Sequence, residues 1–181
     1  MFNFEPMRKY LLFLLSLLFM VPMQAQFFQK GGKQNYLVSI EDASFTTSKP
    51  EKGAHLTAKY VHDTIHQIDT WFGFTYGDIQ RTFYYWNGEL ITVTEIQRLY
   101  NGNDPSINLD SIKPSFNARY IFENGALTNI QQKGTYSFSE GSQDRASMEA
   151  MYLGFSNQYN LRLDEVRADK KNRKKIKKRD L

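Results

Sequence analysis

Two stretches decide the fold: "TFYYWNGELITVTEI" from Thr82 to Ile96, and "RYIFENGALTNIQQ" from Arg119 to Gln132. Each sets aromatic residues before an Asn-Gly pair and a leucine two residues after it. Asn-Gly between strand formers is a strong local hairpin pattern, because a two-residue type I′ turn needs positive φ at both central positions. Asn87-Gly88 and Asn124-Gly125 both qualify. With two-residue turns, Tyr85 pairs with Leu90 and Phe83 with Thr92. In the second copy Phe122 pairs with Leu127 and Tyr120 with Asn129. Side chains alternate along a strand, so Phe83, Tyr85, Leu90, Tyr120, Phe122 and Leu127 share one face and form the expected core.

The opposite face differs between the copies. The first presents Tyr84, Trp86, Ile91 and Val93; the second presents Ile121, Glu123, Ala126 and Thr128. The first hairpin is therefore apolar on both sides and is expected to carry a cover, which a packed helix would supply. The competing reading is a sugar- or peptide-binding platform built on Tyr84 and Trp86, since an exposed apolar patch needs such a reason.

Further strands are expected on both sides of this pair. "IHQIDTWFGFTY" (Ile65 to Tyr76) leads through a turn at Gly77-Asp78 into the first hairpin, and "GTYSFSE" follows the second. "YNGNDPSINLDSIKP" (Tyr100 to Pro114) reads as a loop from its Asn, Asp, Gly and Pro content, and a loop this long in a compact domain is uncommon and is read as either functional or mobile. Ala54, Ala58, Val61, Ile65, Ile68 and Phe72 recur at spacings of three and four, the helical template, with a changeover to strand near His66. Met148, Met151, Tyr152, Phe155 and Tyr159 follow the same template, with Gly154 inside. "YNLRLDEV" alternates at period two, so strand and helix both fit it. "YLVSI" (Tyr36 to Ile40) fits a short strand or a helix start. The expected class is α+β: a single antiparallel meander of five to six strands with one or two covering helices.

The ends of the chain carry different information. Arg8 and Lys9 precede an apolar run from Tyr10 to Val21, interrupted by Ser16. As a helix that run spans ~18 Å, short of a ~30 Å bilayer core. Pro22 ends it and Ala25 is the small residue before a cut, the layout of a secretory signal peptide. The expected organisation is signal peptide 1–25, linker 26–35, one domain 36–166 and a basic tail 167–181. The location that follows is the periplasm or the cell exterior, with a soluble mature chain. There are no cysteines, so disulfides, thiolate metal sites and a Cys nucleophile are excluded.

From Gln26 to Val166 the chain holds twelve Lys/Arg against sixteen Asp/Glu, whereas Arg167 to Arg179 holds nine against one. The basic pI therefore belongs to the tail, and no nucleic-acid partner is expected, because that needs a basic face on the fold. Two readings of the tail compete. It is a solvated helix end, favourable against the helix dipole, or it uses Lys174, Lys175, Lys177 and Lys178 to meet an anionic envelope component, a glycan or a lipid headgroup.

Motifs of catalysis are sparse. "HDTIH" sets His62 and His66 four apart, and with Asp69 they would supply nitrogen and oxygen ligands for zinc. The H-E-x-x-H motif fails, however, and a solvated polar face accounts for them as well. Neither a G-x-S-x-G elbow nor a phosphate-binding Gly-rich loop occurs, and no cofactor is expected. The leading function is a non-catalytic binding or structural protein; the alternative is a hydrolase acting on envelope material.

The paired "Y-x-W-N-G-E-L" (Tyr84 to Leu90) and "Y-I-F-E-N-G-A-L" (Tyr120 to Leu127) resemble uncharacterised secreted bacterial proteins. In these, two aromatic-NG-x-L hairpins sit in a curved antiparallel sheet behind a signal peptide ending in Ala-Gln, as Ala25-Gln26 does. The likeness covers roughly Ile65 to Phe138 and implies location and fold only. A second resemblance is to MORN-type repeats. The sequence departs from those in its spacing of 37 between Asn87 and Asn124, its two copies and its lack of an opening Gly-x-Trp.

Overall fold

The computed structural model describes residues 35–47, 49–138 and 144–179; the side chains of 110 and 170–179 fall outside the description. The apolar run, the expected cleavage site and all of the expected linker except Asn35 also lie outside it. Seven strands form one antiparallel sheet in chain order: β1 (Asn35–Ile40), β2 (Ala54–Val61), β3 (Thr64–Phe74), β4 (Gly77–Trp86), β5 (Glu89–Leu99), β6 (Phe116–Glu123) and β7 (Ala126–Gly134). One α-helix, α1 (Arg145–Arg179), is found among the described residues. The α+β class with one antiparallel meander is as expected, but the strands number seven rather than five or six.

Both Asn-Gly pairs form the expected turns, with positive φ at Asn87, Gly88, Asn124 and Gly125. Tyr85 pairs with Leu90 and Phe122 with Leu127. One step further the ladder slips. Tyr84, not Phe83, faces Thr92, so Ile91 is an extra residue; Ile121 faces Asn129, so Thr128 is extra. A one-residue bulge moves everything beyond it to the other face. Val93, expected on the face of Tyr84, is instead fully buried beside Phe83.

A further hairpin, the first in chain order, has the same build. His62 and Asp63 both have positive φ, Tyr60 pairs with Ile65, Lys59 pairs with Gln67, and His66 is the extra residue. The chain therefore repeats one unit three times, with turns opening at residues 62, 87 and 124. The spacing is 25 and then 37. The excess lies in the connection 100–115, where the preceding one has only Thr75 and Tyr76. This overturns the helix expected over Ala54 to Ile65. In a bulged strand two inward residues stand three apart, as do Ile65 and Ile68, Leu90 and Val93, and Leu127 and Ile130. That spacing imitates a helix.

Two smaller expectations also fail. In "GTYSFSE" Thr135 to Phe138 form no strand: β7 ends at Gly134, and Ser139 and Glu140 lie outside the described residues. Tyr136 and Phe138 still pack inward, Tyr136 edge-on to Phe116 at 5.1 Å and Phe138 buried. The turn into β4 is at Thr75-Tyr76, with Gly77 and Asp78 already in the strand.

The helix begins at an Asp144 cap, whose carboxylate accepts from the Ser147 N–H at 2.9 Å, the usual service of an acidic N-cap. Tyr152, Ser156, Tyr159 and Leu163 form its buried stripe, at spacings of four, three and four. Tyr159 meets the Phe83 ring edge-on at 5.4 Å, and Tyr120 lies 4.4 Å from Tyr152. The helix crosses the sheet near the turns. Glu149 accepts from the Leu127 N–H at 2.6 Å over the third hairpin. Tyr85 and Ser156 share a 2.9 Å hydrogen bond over the second. Arg167 reaches Asp63 at 3.2 Å in the first. "YNLRLDEV" is therefore helix. From Arg167 to Arg179 the helix continues for ~18 Å.

Candidate functional site

The helix covers the face opposite the one expected. Phe83 and Tyr85 lie beneath it, while Tyr84 and Trp86 look out from the uncovered face, 38% and 63% exposed. Among the described residues no element covers this side of the Asn87-Gly88 hairpin, because the inner face, holding all six expected core residues, is where α1 packs. Tyr84 and Trp86 are two residues apart on β4, which separates them by ~7 Å. Exposed Ile91, pushed outward as the bulged residue, adds to the patch. Across the ladder Tyr84 faces Gln67 and Thr92, and Trp86 faces Glu89. Two π faces bordered by an amide and a carboxylate suit a ligand with an apolar face and a polar rim.

The residues proposed for zinc do not converge. His62 sits in the first turn with φ 50°, and His66 is the bulged residue of β3. Asp69 accepts from Gln67 Nε2 at 2.7 Å and Thr82 Oγ1 at 2.7 Å. Among the described residues no three His, Cys, Asp or Glu side chains are placed to hold a metal. Lys174, Lys175, Lys177 and Lys178 stand on the last turns of α1, beyond the described side chains. No helix among the described residues is long and apolar enough to cross a membrane.

Two groupings escaped the sequence reading. On the inner face, Arg81 donates to Glu95 across β4 and β5, with both side chains buried. Tyr152 Oη donates to the same Glu95 oxygen at 2.9 Å, and Gln97 Nε2 donates to the other at 2.6 Å. Burial works against the charge on Arg81, but Glu95 and the Tyr152 and Tyr159 hydroxyls outweigh it and hold its pKa above the ordinary value. The Arg81 guanidinium also lies 5.0 Å over the Phe155 ring. This cluster is sealed and serves packing. Its trace in the sequence is that Arg81 and Glu95 fall in phase with Phe83 and Val93.

The second grouping is on the outer face. Trp71 stacks on His55 at 5.4 Å and 15°. Its Nε1 donates to Asp78 Oδ2 at 2.9 Å, and Asp78, fully buried, also accepts from Arg98 at 3.0 Å. A Cβ at Gly73 would collide with the Trp71 ring. An isolated glycine in a strand marks such a close approach, and "WFGF" was the signal available for it.

No protein-family model, curated protein or solved structure matches the chain.

Proposed function

We propose that this is an exported, non-catalytic binding protein of the bacterial periplasm or cell exterior, which takes an envelope glycan on its outer sheet face. The supporting observation is the exposed pair Tyr84 and Trp86, left open because α1 occupies the other face. A sugar ring offers a C–H face to aromatic rings and hydroxyls to the Gln67 and Glu89 border, and stacking of this kind needs no buried pocket. The resemblance to secreted bacterial proteins with paired aromatic-NG-x-L hairpins gives the same location. The basic end of α1 supplies a second contact, for an anionic part of the envelope, at about 1 kcal/mol per cation close to such a surface.

The test is co-sedimentation of the protein with insoluble envelope glycan. Trp86→Ala is expected to lose most of the bound fraction with unchanged thermal stability. Removal of residues 170–181 is expected to abolish binding to anionic vesicles or acidic glycans and leave folding intact. Undiminished binding by Trp86→Ala would refute the platform, and release of soluble fragments would make the protein a hydrolase instead.

A further inference from the structure

The repeated hairpins are interrupted at one place, the connection 100–115, and that connection builds a cleft. Its first residues fold back on the turn between β3 and β4: the Tyr100 N–H donates to the Tyr76 carbonyl at 3.1 Å and the Gly102 N–H to the Thr75 carbonyl at 2.8 Å. Gly102 permits this approach, since a Cβ there would stand 2.5 Å from the Phe74 carbonyl oxygen. Lys52 Nζ donates to Asn103 Oδ1 at 2.6 Å and ties the loop to the chain entering β2. Between loop and sheet is an open cleft of ≈ 210 Å³, with Lys52, Trp71, Phe74, Tyr100, Asp104 and Ile107 in its lining.

The Trp71 ring is held before any ligand arrives. Asp78 fixes its Nε1, His55 covers one face, and the missing Cβ of Gly73 gives the ring its seat. Asp78 is itself anchored by Arg98. Supporting contacts of this kind hold a binding side chain in one orientation. Beside the indole are one cation, Lys52, one carboxylate, Asp104, and the Tyr100 phenol. The two charges are opposite, so neither an anion nor a cation is favoured. A group that both donates and accepts is favoured.

We infer that this cleft binds a single neutral pyranose ring, its C–H face on Trp71 and its hydroxyls shared between Lys52 and Asp104. The volume is below the ~300 Å³ at which pockets begin to hold drug-sized ligands, so one ring fits and a chain of rings must leave by the open side. The inference rests on the reading of the protein as glycan-binding, but it uses other residues. Gln80, the ladder partner of Trp71, lies six residues from Trp86 along β4, about 20 Å away.

The chain has two tryptophans, so Trp86→Phe leaves Trp71 as the sole indole reporter. The full chain carrying this substitution is titrated with glucose, N-acetylglucosamine and glucuronate while Trp71 emission is followed. A saturable response to the neutral sugars is expected. Asp104→Ala and Lys52→Ala, at exposed positions, are each expected to weaken it about tenfold, ~1.4 kcal/mol, whereas Asn103→Ala, which breaks the loop tie and keeps both charges, is expected to leave the affinity unchanged. Absence of a saturable response to both neutral sugars, a response to glucuronate alone, or an affinity in both alanine variants no weaker than that of the Trp86→Phe parent would overturn the inference. Glycan sedimentation that survives Trp86→Ala beside an intact titration would remove the outer platform and keep the cleft. Sedimentation lost in Trp86→Ala with no titration would remove the cleft alone.

Discussion

Arg81 and Glu95 face each other directly across β4 and β5, 2.5 Å apart at the closest and both buried. A buried pair of this kind contributes little by existing, yet breaking it leaves one charge stranded. Arg81→Met is expected to cost about 3–5 kcal/mol in urea unfolding. Adding Glu95→Gln is expected to recover much of that, because a neutral amide still accepts from Tyr152. A double variant no more stable than the single one would show that the loss came from packing on Phe72 and Phe155.

The bulge at Ile91 separates two neighbouring apolar positions. Val93 is fully buried, whereas Ile91 is 39% exposed. Val93→Ala is expected to cost roughly 2 kcal/mol, from two methyl groups and the space they leave, and Ile91→Thr to stay within about 0.5 kcal/mol. Equal losses in chemical denaturation would mean that the register runs straight through the turn.

The first turn is built from poorer residues than the other two. His62 holds φ 50°, a region that Asn enters more readily. His62→Asn is expected to raise stability by about 0.5 kcal/mol. Asp63 must stay, because it accepts from Tyr36 Oη at 2.6 Å and from Arg167. A fall in melting temperature for His62→Asn would place a stabilising contact on the imidazole.

Gly154 lies on the exposed side of α1, and a Cβ there would meet nothing within 4 Å. Gly154→Ala is expected to stabilise by about 1 kcal/mol through helix propensity alone. Calorimetry would show this as a higher melting temperature with unchanged unfolding enthalpy per residue.

Burial pushes the Tyr60 and Tyr120 phenols up to about 12, from an ordinary 10.0. Burial also raises Tyr85 and Tyr152. Below pH 10 these groups are protonated in both states and their contribution is complete. Between 10 and 12 the unfolded chain releases protons that the folded chain retains, so stability falls as pH rises. The melting temperature is expected to be insensitive to these groups up to pH 10 and to drop steeply above it, with phenolate absorbance appearing alongside unfolding. Titration of all the tyrosines near 10 in a still-folded chain would contradict the packed core.

Asn87-Gly88, Asn124-Gly125 and the six inward residues around them were legible in the sequence, since a type I′ turn and the alternation beside it depend on neighbours only. The stripe Tyr152, Phe155 and Tyr159 was legible for the same reason. His62-Asp63 was not, because neither residue announces positive φ and the bulge at His66 spaces Ile65 and Ile68 like a helix. Trp71, Asp78 and Arg98 come together from three strands, and local pattern carries no record of such a meeting.

Local chemistry in the chain alone settled where it reverses and which aromatics are buried nearest each reversal. Which face the helix covers, the descent of Val93 into the core, the pairing of Arg81 with Glu95 and the exposure of Trp86 were settled only by tertiary structure. The physical reason is the parity of a strand: one extra residue in the ladder inverts every side chain after it, and that residue is chosen by how neighbouring strands fit together.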